Sequence, residues 1–104
     1  MAKNKYRIKY TETFINQFNN ILKYFKYKLQ NKVVAENFYN DVINEIEKRS
    51  ENPQYFEKYK SNKKRKNDYY RIYVKNYTIF YIVKDNIIEI RRIIYSGRNI
   101  DKLV

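Results

Sequence analysis

Residues 69–95 have the sequence YYRIYVKNYTIFYIVKDNIIEIRRIIY, and this stretch predicts most of the sheet. Three apolar runs in this stretch, Tyr69 to Val74, Tyr77 to Val83 and Ile87 to Tyr95, are typical of strands. Short connections at Lys75-Asn76 and Asp85-Asn86 join them, and asparagine tolerates the positive φ of a tight hairpin turn. The stretch therefore predicts three successive strands, paired as hairpins.

The N-terminal half supplies one more strand and then two helices. Residues Lys5 to Tyr10 alternate between apolar and charged side chains, which indicates a half-buried strand. A helical period follows, and Thr11 or Thr13 is suited to cap its start. The apolar stripe of this first helix consists of Phe14, Ile15, Phe18, Ile21, Leu22, Phe25 and Leu29. The stripe of the second helix consists of Val34, Ala35, Phe38, Val42, Ile43 and Ile46.

Asn31 separates the two stripes, so we predict an antiparallel helical hairpin whose apolar faces are covered by the sheet. Residues Tyr55 to Asp68 are predicted to form a loop, and Ser96 to Val104 a short tail. The whole chain, 1–104, is predicted to be a single domain of the α+β class. Its predicted order is β-α-α-β-β-β, with the hairpin packed on a mainly antiparallel four-stranded sheet.

The composition excludes several kinds of site. The 104 residues contain neither cysteine nor histidine, so disulfides, thiolate metal sites and the usual general base are absent. We therefore predict no metal and no cofactor. No window approaches the ~18 apolar residues of a membrane span. We expect a cytoplasmic protein with no membrane partner.

The charge is basic and is concentrated after residue 57. The chain has 23 Lys and Arg against 11 Asp and Glu, a net charge of +12, which attracts polyanions. A coding sequence rich in A and T would account for the many lysines as well as a functional requirement would. The same coding bias should lower the number of arginines. Five of the seven arginines nevertheless follow residue 64: Arg65, Arg71, Arg91, Arg92 and Arg98. Arginine donates two hydrogen bonds to phosphate at once, so the C-terminal sheet is predicted to contact RNA, with DNA or an acidic protein as alternatives.

Particular side chains are candidates for that contact. Five cations lie within residues 60–66, where an ordinary solvated loop is the alternative interpretation. The predicted RNA-binding residues are Lys63, Lys64, Arg65, Lys66, Tyr73, Arg91 and Arg92. Cleavage of RNA also needs a proton acceptor, and cations nearby lower the pKa of a lysine or a tyrosine. The candidates for that role are Lys64, Lys66, Tyr73 and Tyr95.

Four short motifs, in this order and spacing, resemble the RelE/ParE superfamily of bacterial toxins. They are Asn-Lys-Lys-Arg at 62–65, Tyr-Tyr-Arg-Ile at 69–72, Tyr-Thr-Ile-Phe-Tyr at 77–81 and Arg-Ile-Ile-Tyr-Ser-Gly-Arg at 92–98. The resemblance spans nearly the whole chain and implies the same β-α-α-β-β-β fold. It also implies a cytoplasmic growth inhibitor of a type II toxin-antitoxin system, silenced by a cognate antitoxin.

RelE-like members of the superfamily cut mRNA on the ribosome, and ParE-like members poison DNA gyrase. By position, Arg71 and Arg98 match functional basic residues of the RelE-like toxins, so the resemblance implies catalytic roles for these two arginines. Tyr95, one of the candidate proton acceptors, is the third predicted catalytic residue. In that hypothesis the two arginines stabilise the phosphorane and Lys64 and Arg65 position the RNA. We therefore expect a metal-independent mRNA interferase with the ribosome and mRNA as targets.

Two alternatives remain open. The chain differs from RelE-like toxins at Tyr73 and Thr78 and lacks a tyrosine after Arg98, while Ala-Glu-Asn-Phe at 35–38 is similar to ParE. The first alternative is therefore a non-enzymatic inhibitor of DNA gyrase. The second is an inactive toxin or a plain RNA-binding module. In each toxin hypothesis an acidic or amphipathic antitoxin segment lies along the hairpin or adds a strand to the sheet.

Overall fold

A computed structural model describes residues 6–55, 58–59 and 67–98. The elements, in chain order, are β1 (Arg7–Tyr10), α1 (Glu12–Lys23), α2 (Lys32–Arg49), β2 (Lys58–Tyr59), β3 (Tyr69–Val74), β4 (Tyr77–Lys84) and β5 (Ile87–Tyr95). The sheet order is β1-β5-β4-β3-β2. Only the β1–β5 pair is parallel among these described strands. The predicted α+β class and the helical hairpin on a mainly antiparallel sheet are confirmed.

The sheet has one strand more than the sequence predicted. The two residues of β2 pair antiparallel with Tyr69 and Tyr70 at the sheet edge, inside the segment predicted to be a loop. A run of two residues is too short to produce a recognisable alternation. The three strands from residue 69 onward otherwise follow the prediction, with β4 longer by one residue.

Each helix begins at a capped residue. The Thr11 hydroxyl oxygen accepts a hydrogen bond from Phe14 N at 3.2 Å, so Thr11 rather than Thr13 is the N-cap of α1. Asn31 caps α2 in the same way, because its Oδ1 accepts from Val34 N at 3.1 Å. Between the helices the backbone reverses at Gln30, whose φ is 50°.

The end of α1 differs from the prediction of one regular helix. Residues Tyr24–Lys28 form a π-helical turn, which is wider than an α-helical turn. The wider turn shifts the phase of the residues that follow, so Leu29 is 52% exposed although the apolar period placed it in the stripe. Ile15 and Val34, at the margins of their stripes, are also exposed.

Both helices pack on one face of the sheet, α1 mainly over β5 and α2 over β3. The helices contribute aromatic and branched side chains to the core, and alternate residues of the strands face them. The buried residues of this core are Phe14, Phe18, Phe38, Val42, Ile46, Tyr70, Ile72, Val74, Ile79, Tyr81, Ile88, Ile90 and Ile93. No helix within the described ranges is long and apolar enough to cross a membrane.

The two hairpin turns use positive φ one residue earlier than predicted. Lys75 has a φ of 55° and Asp85 a φ of 54°, whereas the asparagines that follow them do not have positive φ. Asparagine is therefore the second residue of each turn, and the left-handed conformation falls on the residue before it.

Candidate functional site

A β-bulge in β5 turns two adjacent arginines toward the face of the sheet away from the helices. Phe80 pairs with Arg92 and Tyr81 with Ile90, so Arg91 is the additional residue between them. Without the bulge, alternation would direct Arg91 and Arg92 to opposite faces. Arg71 pairs with Phe80 on the other side of β4, so Arg71, Phe80 and Arg92 form one row across three strands.

The arginines of this face differ in their surroundings. Arg91 Nη1 donates to Glu89 Oε2 at 2.7 Å, and its guanidinium lies 6.0 Å from the ring centre of Tyr69. Burial acts to lower the pKa of Arg91, but the bond to Glu89 and the neighbouring Tyr69 together raise it. The guanidinium of Arg71 lies 5.4 Å from the ring centre of Tyr73, which is 60% exposed.

Arg92 has a buried Nε with no hydrogen-bond acceptor in the described part of the chain. Near it on this face, the apolar Phe80, Ile82 and Ile94 are nearly inaccessible to solvent. The polar Thr78 is buried as well, and its hydroxyl oxygen lies 2.7 Å from that of Ser96. Of the predicted RNA-binding residues, Tyr73, Arg91 and Arg92 thus share one face with Arg71. Lys63, Lys64, Arg65 and Lys66 lie outside the described residues.

A second arginine site lies where β5 ends beside α1. Arg98 borders a cavity of about 680 Å³ together with three tyrosines, Tyr24, Tyr77 and Tyr95, and we call these four residues the tyrosine–arginine cleft. The rings of Tyr77 and Tyr95 meet edge to face, with centres 5.7 Å apart. The remaining lining residues are Gln17, Asn20, Ile21, Ile93 and Ile94, so no carboxylate borders the cavity among the described residues.

The cleft is suited to donate hydrogen bonds. Burial, followed by the neighbouring phenols of Tyr24 and Tyr95, raises the pKa of Tyr77, while Arg98 acts to lower it. The phenol of Tyr77 is therefore protonated at neutral pH and is a donor rather than a base. Arg98 adds a permanent positive charge. Such a set of groups is suited to bind an anion, and the described residues that line the cavity include no carboxylate that could accept a proton.

Three local contacts hold the cleft in shape. Gln17 Oε1 accepts a hydrogen bond from Ile93 N at 2.9 Å. Because β1 pairs with β5 only as far as Ile90, this bond satisfies a backbone amide at the part of the β5 edge that β1 does not reach. Gly97 lies against the ring of Tyr95, because a Cβ atom built on Gly97 would be 2.6 Å from Tyr95 Cε2. The backbone amide of Arg98 donates to Tyr95 O at 3.1 Å, which closes the turn at the end of β5.

The predicted catalytic residues do not come together in one site. Arg71 lies on the sheet face away from the helices, whereas Arg98 and Tyr95 lie in the tyrosine–arginine cleft beside α1. Tyr24, Asn20 and Gln17 were not predicted as site residues. They recur at intervals of three and four residues along one side of α1 and its C-cap Tyr24, which is a signal in the sequence. This spacing does not tell which strand that side of the helix meets.

Within the described ranges, no group of three or more carboxylates is arranged to hold a metal ion. Buried tyrosine elsewhere has a structural role. The hydroxyl of Tyr81 donates to Pro53 O at 2.7 Å, and burial raises the pKa of Tyr81 to about 12. In the described part of the chain, the candidate residues that we predicted from the sequence therefore lie on two surfaces. One is the cleft, and the other is the side of the sheet with Arg71, Arg91 and Arg92, which we call the arginine face.

Residues 8–100 match the family model of the ParE toxin of the type II toxin-antitoxin system parDE. No curated protein matches the chain in sequence. Among solved structures, a chain of the chromosomal ParDE system from P. aeruginosa is similar, with a TM-score of 0.71 and 13% identity. The match covers 89% of this chain and 98% of that one.

Two archaeal structures are also similar. A chain of the RelE–RelB complex from Pyrococcus horikoshii OT3 gives a TM-score of 0.61 at 19% identity, covering 91% of this chain and 99% of that one. A chain of the RelB–RelE antitoxin-toxin complex from Methanococcus jannaschii gives 0.51 at 19% identity, covering 92% and 99%. At these identities the likeness concerns the fold.

Proposed function

The chain belongs to the ParE toxin family of type II toxin-antitoxin systems, and on that premise we propose that it arrests growth by binding DNA gyrase rather than by cutting RNA. The match to the ParE model over residues 8–100 is the observation that carries the proposal. The sequence alone favours the ribosome-dependent nuclease, whereas the family match and the positions of the two arginines support the gyrase proposal.

The separation of Arg71 and Arg98 supports a binding function. Cleavage of RNA requires groups that stabilise the phosphorane and groups that move protons to lie within hydrogen-bond reach of one phosphate. Arg71 extends from one face of the sheet and Arg98 borders a cavity beside α1. Two groups on different sides of a sheet do not contact one phosphate, whereas a binding protein needs only one of the two surfaces.

We assign the target contact to the tyrosine–arginine cleft. Its three phenols and one guanidinium are donors, so it suits a carboxylate presented by a protein surface. Tyr95 is 48% exposed, which makes the ring available to a partner. Tyrosine and arginine are the residues in which interface energy most often concentrates. In this proposal Arg98 pairs with an acidic side chain of gyrase, and Tyr95 supplies the adjoining contact area.

A cognate antitoxin is the second partner in the proposal. The three similar structures come from systems or complexes in which a ParE or RelE chain is paired with ParD or RelB. A chain of net charge +12 attracts an acidic segment, and such segments commonly fold on binding. In this proposal the protein acts in the cytoplasm and is held inactive until its antitoxin is removed.

The test is a pulse-labelling time course after induced expression, with DNA synthesis and protein synthesis followed in the same culture. We expect DNA synthesis to fall first. The purified chain is also expected to inhibit supercoiling by gyrase while leaving ribosome-bound mRNA intact. Loss of protein synthesis before DNA synthesis, accompanied by cleaved mRNA, would falsify the gyrase proposal.

The arginine face favours mRNA cleavage as a second candidate function. Arg71, Arg91 and Arg92 converge on one side of the sheet, where Tyr69 and Tyr73 supply aromatic rings. Arginine and exposed aromatic rings are typical of surfaces that contact RNA backbone and bases. This candidate predicts that Arg71→Ala abolishes growth arrest, whereas the gyrase proposal predicts that Arg71→Ala leaves it nearly unchanged.

A further inference from the structure

A second cavity adjoins the tyrosine–arginine cleft. Its volume is about 610 Å³, and the rings around it belong to Phe25, Phe38, Tyr77 and Tyr95. We call it the aromatic cavity. Tyr77 and Tyr95 also line the cleft, and within the described ranges the two cavities share no other lining residue. The rings of these two tyrosines therefore form a wall between the cavities.

The rings of the aromatic cavity hold one another in place. The centre of the buried Phe38 ring lies 5.3 Å from that of Phe25 and 5.2 Å from that of Tyr77. The rings of Phe25 and Tyr77 meet edge to face, with centres 6.2 Å apart. Val34, which is 41% exposed, adds an aliphatic side chain to the lining. An apolar side chain that enters this cavity meets ring edges and faces in fixed positions, which favours another aromatic ring.

The two cavities differ in charge. Asp41 and Lys75 both line the aromatic cavity, and their charged groups lie 3.9 Å apart, so each charge is balanced by the other. Arg98 forms no ion pair in the described part of the chain. The cations with an ion pair there are Lys9, Lys48, Lys58, Lys75 and Arg91. The aromatic cavity therefore suits a neutral apolar group, and the cleft suits an anion.

The same elements border both cavities and fix their relative positions. Ser96 N donates to Asn76 O at 2.8 Å, so the turn beside the aromatic cavity is held against the end of β5 beside the cleft. On the helical side, Tyr24 and Phe25 are consecutive residues of the π-helical turn. Tyr24 lines the cleft, whereas Phe25 lines the aromatic cavity. Because π-helical turns occur frequently at functional sites, this turn supports a common role for the two cavities.

We propose that the two cavities together bind one extended segment of the target protein, with an aromatic side chain in the aromatic cavity and a carboxylate two positions away on Arg98. In an extended chain, side chains at i and i+2 point the same way and lie about 7 Å apart. This spacing is similar to the 5.7 Å between the ring centres of Tyr77 and Tyr95, so two such side chains reach past the wall into different cavities. The inference rests on the proposed function for the identity of the partner, which is gyrase.

A nucleotide also combines a ring with an anion, but the charges favour a peptide. Each base inside a nucleic acid strand has a phosphate on both sides. A base in the aromatic cavity would therefore bring a second phosphate toward the carboxylate of Asp41. The proposed peptide segment needs a single negative charge, and Arg98 is there to meet it. A second copy of this chain is disfavoured, because each copy has a net charge of +12.

The test is an NMR titration of the ¹⁵N-labelled full chain with a blocked heptapeptide, acetyl-Gly-Ser-Phe-Ser-Glu-Ser-Gly-amide, and with the same residues in reverse order. We expect one of the two orders to bind with a Kd below about 1 mM and to shift the amide signals of both Phe25 and Arg98. Alanine in place of the phenylalanine, or glutamine in place of the glutamate, should weaken binding about tenfold. A Kd above about 1 mM for both orders overturns the inference.

Paired variants locate the two contacts. Arg98→Gln should bind the glutamate peptide only as well as the glutamine peptide, whereas Lys84→Gln, an equal change of charge at an exposed position on β4, should keep the difference between them. Val34→Asn should weaken binding of every peptide that contains phenylalanine by about threefold. Val33→Asn should change it less than about twofold, because Val33 is exposed on the same turn but does not line the cavity. Equal losses in a variant and its control overturn the inference.

The readout separates this inference from the gyrase proposal, because peptide binding requires neither growth arrest nor gyrase. A chain that binds the peptide but leaves gyrase active contradicts only the gyrase proposal. A chain that inhibits gyrase but binds the peptide in neither order contradicts only the joint use of the two cavities. Displacement of the peptide by an equal concentration of adenosine 5′-monophosphate would assign the cavities to a nucleotide and overturn the inference.

Discussion

Gly97 leaves room for the ring of Tyr95. A substitution of Gly97 therefore tests whether growth arrest depends on the position of that ring. A methyl group at Gly97 would come within 2.6 Å of Tyr95 Cε2, so the ring has to move in Gly97→Ala. Because the obstacle is the end of an exposed side chain and not backbone, we expect the melting temperature to change little. Growth arrest should fall to the level of Tyr95→Ala. Full toxicity in Gly97→Ala would show that the ring position is unimportant.

Tyr81 makes stability depend on pH in alkaline solution. Burial raises its pKa from 10.0 to about 12, so the folded chain retains the phenol proton in a range where the unfolded chain loses it. The resulting stabilisation is fully present below pH 10.0 and is lost as the pH rises toward about 12. Two pKa units correspond to about 2.7 kcal/mol, and screening reduces this to roughly 1–2 kcal/mol.

The measurement for Tyr81 is urea denaturation between pH 8 and pH 11, compared with Tyr81→Phe. The variant should lack this part of the pH dependence. At neutral pH it should be less stable by about 1–3 kcal/mol, because Pro53 O loses its buried donor. Tyr73→Phe, at an exposed ring, serves as the control. Parallel pH profiles for the wild-type chain and Tyr81→Phe would contradict the assignment.

At the start of α1, the side chain of Thr11 connects the helical hairpin to the sheet. Besides capping α1, the Thr11 hydroxyl lies 3.0 Å from both Ile90 O and Arg91 O, next to the bulge. Thr11→Val keeps the shape and removes both functions, so we expect a loss of about 1–3 kcal/mol in the free energy of unfolding. Thr13→Val, on the exposed first turn, should cost under about 0.5 kcal/mol. Equal losses from the two variants would refute the role of Thr11.

Elements whose signal is local were predictable from the sequence. The bounds of β3 and β5 follow from the apolar runs in the sequence and from the short turns between them. The π-helical turn after α1 and the bulge at Arg91 were not predictable, because each changes the period by one residue only when the surrounding packing favours it. The same limitation explains why Leu29 was assigned to the core.

The candidate site was predictable only in part, for a related reason. Arg98, Tyr95 and the arginine face were named from residue type and from the family resemblance. Tyr24 and Tyr77 come together although 53 positions separate them in the chain, and no local pattern connects a helix end with a strand start. The surface on which an arginine lies depends on the face of the sheet to which its side chain points. For Arg91 and Arg92 the bulge determines that face.

In the molecule as a whole, the arginine face and the tyrosine–arginine cleft point in different directions. Arginine lies on both surfaces, so the concentration of arginine after residue 64 does not tell which of the two contacts a partner. Since the helices and the cleft lie on one side of the sheet and Arg71 on the other, one partner of ordinary size contacts one of the two surfaces more readily than both. A gyrase contact and an antitoxin contact can therefore lie on different surfaces.

This separation makes a double-mutant cycle of Arg71→Ala and Arg98→Ala decisive. If the cleft alone contacts gyrase, Arg98→Ala should weaken inhibition of supercoiling tenfold or more and Arg71→Ala less than threefold. The double variant should then equal the product of the two effects, because distant, independent sites add in free energy. Catalytic residues that act as one unit behave otherwise, since either single change costs about as much as both. The opposite result would be two severe single variants, a double variant that is no worse than either, and loss of mRNA cleavage in all three. That result would show that both arginines act in one nuclease site.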